Sequence, residues 1–74
     1  MRTVTLVREP TELYKILKFE GLATTGGEAK LLIGEGQVVV NGGVETRKRR
    51  KIVGGDIIEM GEEQYRVEYN AGAE

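Results

Sequence analysis

Two short segments constrain this chain more than any other feature: "LYKILKFEG" (Leu13–Gly21) and "GEAKLLIGEG" (Gly27–Gly36). In the first, Leu13, Ile16 and Leu17 recur at i, i+3 and i+4. In the second, Ala29, Leu32 and Ile33 do the same. Each spacing predicts a helix apolar on one side only, stopped by a glycine that tolerates positive φ, Gly21 or Gly36. Helices this short are marginal in water unless their apolar stripes are covered. Both stripes therefore need a common surface, and the rest of the chain has to supply it.

That surface reads as a small sheet. "RTVTLV" (Arg2–Val7) alternates polar and apolar residues, with Val4 and Leu6 on its buried side. "QVVVNGGV" is a strand entering a tight turn at Asn41-Gly42, the dipeptide best suited to a hairpin. "DIIEM" and "QYRVEY" follow, separated by the turn-like "GEE"; Tyr65, Val67 and Tyr69 alternate with Arg66 and Glu68. Pro10 is expected in the first turn of the first helix, and Tyr14 and Phe19 are expected to flank its core stripe. The order is β-α-α-β-β-β-β. The fold class is α+β, with two short helices packed on one face of a small, mostly antiparallel sheet. One domain spans 1–74, and 70–74 ("NAGAE") is expected to fray.

Composition narrows the chemistry. A chain of 74 residues has little room for both a catalytic cavity and its scaffold. With no cysteine and no histidine, disulfides, thiolate chemistry, the commonest general base and the usual zinc ligands are all missing. No Ser-His, Cys-His, P-loop or dinucleotide pattern occurs. The reading is a binding module, not an enzyme, with no cofactor and no metal. "MRTVTLVREP" lacks the apolar core of a signal peptide, and no run approaches the ~18 apolar residues of a membrane span. The expected compartment is the cytoplasm.

The formal net charge of −1 hides a segregation. Residues 1–46 carry five basic and six acidic side chains, Arg47, Lys48, Arg49, Arg50 and Lys51 carry five positive charges in succession, and 52–74 hold one Arg against six acids. Edge protection of a sheet explains one or two cations, not a run of five that repel one another. A polyanion explains the run better, since each phosphate contact releases counterions. If the run is extended, Arg47, Arg49 and Lys51 point one way and Lys48 and Arg50 the other. The run is expected to stand clear of the acids further along. No aromatic residue neighbours it in sequence, which argues against single-stranded RNA stacked on rings.

A second candidate lies at "TTGGEAK". Thr25 and Glu28 have capping-box spacing. Gly26 and Gly27 would bare their amides at a helix N-terminus, where phosphate binds, with Lys30 one turn later. The equal alternative is a flexible turn before a capped helix.

With "GEAKLLIGEGQVVVNGGVETRKRRKIVGGDIIEM" in view, the chain resembles the alpha-L RNA-binding motif, the type named from the fourth protein of the small ribosomal subunit. It is most similar to the small stand-alone YbcJ-like members. The resemblance covers about 11–60 and rests on Ala29, Lys30, Ile33, Gly36, Val38, Val40, Asn41, Gly42, Gly55, Asp56 and Ile58. It implies a non-catalytic module that binds structured RNA, ribosomal RNA or a ribosomal particle, along the second helix and adjoining strands. Thr25 would open the RNA-facing helix and Lys30 would contact phosphate. Many family members carry Arg directly after the helix-opening Ser or Thr. Here that position is Gly26, which shifts weight onto amides and onto Arg47–Lys51. Two alternatives stand beside it. A ubiquitin-like sulfur carrier also uses "V-x-V-N-G" and "G-D-x-I", but needs a terminal Gly-Gly where this chain ends "YNAGAE". A docking module would bring the cationic stripe to an acidic protein.

Overall fold

The computed structural model describes residues 1–71. In chain order the elements are β1 (Arg2–Leu6), β2 (Thr11–Glu12), α1 (Leu13–Phe19), α2 (Gly26–Gly34), β3 (Val38–Val40), β4 (Gly43–Val44), β5 (Lys51–Ile52), β6 (Ile57–Met60) and β7 (Glu63–Tyr69). The main sheet has the order β1-β7-β6-β3-β4, and β2 pairs with β5 in a separate two-stranded ladder. β1 runs parallel to β7, and the other pairs are antiparallel.

The register explains the single core. Val40 faces Ile58, Ile58 faces Tyr65, and Val4 faces Val67, so these buried side chains share one face of the pleat. Thr3 and Thr5, paired with Arg66 and Glu68, fall on the other, polar face. Leu13, Ile16 and Leu17 of α1 and Ala29 and Ile33 of α2 are buried against the first face. Leu32, on the margin of its stripe, is only partly buried.

The hairpin forms as its dipeptide predicts, with Asn41 at φ 52° and Gly42 at φ 85°. Asn41 also ties it to the next turn. Its Nδ2 donates to Asp56 Oδ1 at 3.0 Å, and its Oδ1 accepts from the Ile57 amide at 2.9 Å. The other Asp56 oxygen accepts from the Val53 amide at 3.0 Å. "VNG" and "GD" are thus two halves of one hydrogen-bonded joint.

Several expectations need correction. Pro10 precedes β2 and lies outside the helix, which begins at Leu13 with Glu12 as an N-cap that makes no side-chain cap bond. The α1 amides are instead satisfied from a distance, as described below. Phe19 is 71% exposed, because α1 ends there and turns its last residue away from the core. At the start of the tail expected to fray, the Asn70 amide donates to the Leu6 carbonyl at 2.9 Å. The rest of that expected tail, 72–74, lies outside the described residues. The glycine pairs Gly26-Gly27, Gly42-Gly43 and Gly54-Gly55 sit at the start of α2, in the β3–β4 hairpin and in the turn before β6.

Candidate nucleic-acid interface

The cationic run is a turn, not an extended strand. The Arg50 amide donates to the Arg47 carbonyl at 3.2 Å, and only Lys51 enters a strand, β5. The two-sided alternation expected for an extended run is therefore absent. The turn is fastened to α1 through its backbone: the Leu13 amide donates to the Arg50 carbonyl at 2.8 Å, and the Tyr14 amide to the Lys48 carbonyl at 3.2 Å. Two of the helix's orphan donors are met by the very loop that carries the charge.

Its side chains are not all clear of carboxylates. Glu45, the one buried charged residue of the described part, is 6% exposed. It accepts from Arg47 Nε at 3.0 Å and Nη2 at 3.1 Å, and from Arg50 Nη1 at 2.7 Å. The Arg47 amide adds a further bond of 2.9 Å. Hydrogen bonds from the Arg47 and Arg50 guanidiniums hold the Glu45 carboxyl down at about 2, against the desolvation that would raise it. Arg49 lies 3.7 Å from Glu12, which Lys15 also approaches at 3.3 Å. These partners lie upstream of the run. Among the described acids of the C-terminal part none pairs with it, so the expected segregation holds for those acids and fails for Glu45 and Glu12.

One buried carboxylate against five cations still leaves residues 45–51 with a net charge of +4. Arg47 keeps a side chain 74% exposed, and Arg47, Arg49, Arg50 and Lys51 line an open depression of about 560 Å³. Lys48 is turned elsewhere. Its stem crosses the last turn of α2, where a methyl group added at Gly34 would meet its Cε at 3.3 Å and its Nζ at 3.8 Å. A cation there complements the helix C-terminus. Glu45 was missed by sequence reasoning, although a glutamate followed by arginines at i+2 and i+5 was a signal.

At the other candidate, Thr25 Oγ1 accepts from the Glu28 amide at 3.1 Å, as the capping box requires. The return bond differs: Glu28 Oε1 accepts from the Thr24 amide at 2.6 Å, one residue before the cap. The Gly26 and Gly27 amides have no acceptor among the described residues. Lys30 is half-buried and not on the open side of α2, because its ammonium sits over the Tyr14 ring, 4.6 Å from the centroid. Arg49 approaches the same ring at 5.7 Å and Lys15 at 5.9 Å. Tyr14 thus joins the two candidate sites into one basic surface, and the run has an aromatic neighbour in space that it lacks in sequence. Among the described residues no cluster could hold a metal ion, and no helix is long and apolar enough to cross a membrane.

Comparison with known proteins bears on the family and the fold. The S4 domain model matches residues 4–68. YbcJ of Escherichia coli (strain K12), whose name gives RNA binding as a provisional description, is 51% identical over 59 residues. That alignment covers 78% of this chain and 84% of YbcJ. A YbcJ protein of Shigella flexneri, described as uncharacterized, matches to the same extent. The solution structure of E. coli YbcJ superposes with a TM-score of 0.70 at 45% identity, covering 92% of this chain and 87% of that one. It is described as revealing an alpha-L motif involved in RNA binding.

Proposed function

Because the chain belongs to the S4-domain family, we propose that it is a non-catalytic module that binds structured RNA through the surface joining Thr25, Gly26, Gly27 and Lys30 to Arg47–Lys51. The observation that carries this reading is the net charge of +4 on residues 45–51, held in a turn by the backbone of α1. A rigid basic loop meets phosphates without the entropy of ordering a floppy one. Phosphate attraction supplies most of the affinity, and the shape of the RNA gives selectivity. Ribosomal RNA or a ribosome-associated particle in the cytoplasm is the expected partner.

Titration of a folded RNA across salt concentrations tests the reading. With Lys48 turned toward α2, about three to five phosphate contacts give a slope of log K against log salt of about −2 to −4.5. A slope near zero would remove the proposal. Neutralising Arg47, Arg49 and Arg50 together, in a Glu45→Gln background so that no carboxylate is stranded, weakens binding by well over about tenfold. Pull-downs with and without nuclease separate an acidic protein partner, which survives digestion, from RNA.

A further inference from the structure

Tyr14 is the one aromatic side chain of this surface, and its ring is half-buried. The ring packs against the core along part of its surface and is otherwise accessible. What gathers around it are the three cations already described, one each from α1, α2 and the basic turn. The Tyr14 amide is bonded to the Lys48 carbonyl, so the ring keeps its place relative to the turn. Its hydroxyl has no hydrogen-bond partner among the described residues.

Gly26 accounts for part of that access. A methyl group built there would lie 3.7 Å from Tyr14 Cε2 and 3.8 Å from Cδ2, in ordinary contact. Any longer side chain at this position would continue from that point across the ring. The glycine that takes away a possible side-chain phosphate contact therefore also uncovers an aromatic surface.

We infer that Tyr14 is a stacking platform for one unpaired nucleobase of the bound RNA, with Lys30 and Arg49 taking the phosphates beside it. This rests on the RNA-binding reading above and specifies the kind of RNA. A nucleotide has the two parts this surface matches, a flat π-face and an adjacent anion. Magnitudes favour the exchange. A cation over an exposed ring contributes about two- to fivefold in equilibrium constant, whereas a base stacked on an aromatic side chain contributes roughly 5- to 150-fold. The base displaces the ammonium from the ring face, and the freed ammonium turns to phosphate. A regular duplex keeps its bases stacked inside and offers the ring nothing, so the preferred RNA carries a bulged or looped-out nucleotide.

The test compares two RNA hairpins of equal charge, one fully paired and one with a single bulged adenosine, by fluorescence anisotropy. The native protein is expected to bind the bulged hairpin about tenfold more tightly. Tyr14→Leu keeps the apolar contact with the core and should bind both hairpins equally. Tyr14→Phe should retain the preference. Gly26→Arg, which lays a long side chain across the ring, should lose it. Equal, salt-dependent binding of both hairpins by the native protein would overturn the platform and leave the RNA-binding reading standing. Binding to neither hairpin would overturn both. A preference that survives in Tyr14→Leu would assign the bulge contact to another residue and likewise overturn the proposal.

Discussion

The two helices begin in opposite ways. At α1 there is no side-chain cap, and the first amides are consumed by the carbonyls of Arg50 and Lys48, from a loop more than thirty residues downstream. At α2 the cap is local, Thr25 and Glu28 serve it, and the Gly26 and Gly27 amides keep no protein acceptor among the described residues. The first start is spent on architecture: it fixes the basic turn to the core. The second is self-sufficient and leaves donors facing outward. One helix start therefore shapes the cationic surface indirectly, while the other borders it directly, and Tyr14 with Lys30 spans the two.

The largest break in this contrast comes from the anchored side. Arg47→Gln with Arg50→Gln leaves the buried Glu45 carboxylate with only the Arg47 amide as a partner and is expected to cost about 3 kcal/mol in urea unfolding. Adding Glu45→Gln should recover much of it. An arginine loss that destabilised no more than a surface change would show the turn is held by backbone bonds alone.

Acid is the next largest lever. The Glu45 carboxyl titrates at about 2 in the fold and at the ordinary 4.5 when exposed. A group lowered by folding stabilises fully above its unfolded value and loses that contribution as pH falls through its folded one. The stabilisation, about 2–3 kcal/mol, should therefore be complete above pH ~5 and fade toward pH ~2. Native and Glu45→Gln proteins should differ in stability at neutral pH and converge in acid. Parallel curves would place the charge interaction elsewhere.

On the self-sufficient side the effects are smaller. Thr25→Ala removes the cap bond and should lower stability by about 1 kcal/mol. Lys30→Ala is smaller still in stability, where a cation–π contact of about 0.5–1 kcal/mol is at stake. In RNA binding it should flatten the salt slope by about 0.7–0.9, one phosphate contact. An unchanged slope would mean that Lys30 stays on the ring in the complex.

Features encoded within a few residues could be read directly. The Asn41-Gly42 hairpin, the glycine stops, the Thr25 hydroxyl cap and the first apolar stripe depend on local φ and on spacing and are present as expected, while Glu28 returns to Thr24 and Leu32 stays at the margin of the second stripe. Features made by chain crossings could not. A two-residue β2 has no periodicity to detect, and its partner β5 lies beyond both helices. The run of cations promised repulsion but not its remedy, a turn folded over Glu45. Tyr14 was readable as a flank of the α1 stripe, and it does touch the core. Its second role as the meeting point of Lys30 and Arg49 depends on how α2 and the turn converge, which no window of sequence contains.

The parallel pairing of β1 with β7 sets Arg2 opposite Tyr65 and Leu6 opposite Tyr69. During synthesis β1 emerges first and has no sheet neighbour until β7 follows it out, so the hairpins of the middle can assemble while the first strand waits. Closing this long loop carries the largest entropic cost in the ladder and is expected to be the late, cooperative step. An extension or truncation that disturbs either end would be felt by the whole sheet.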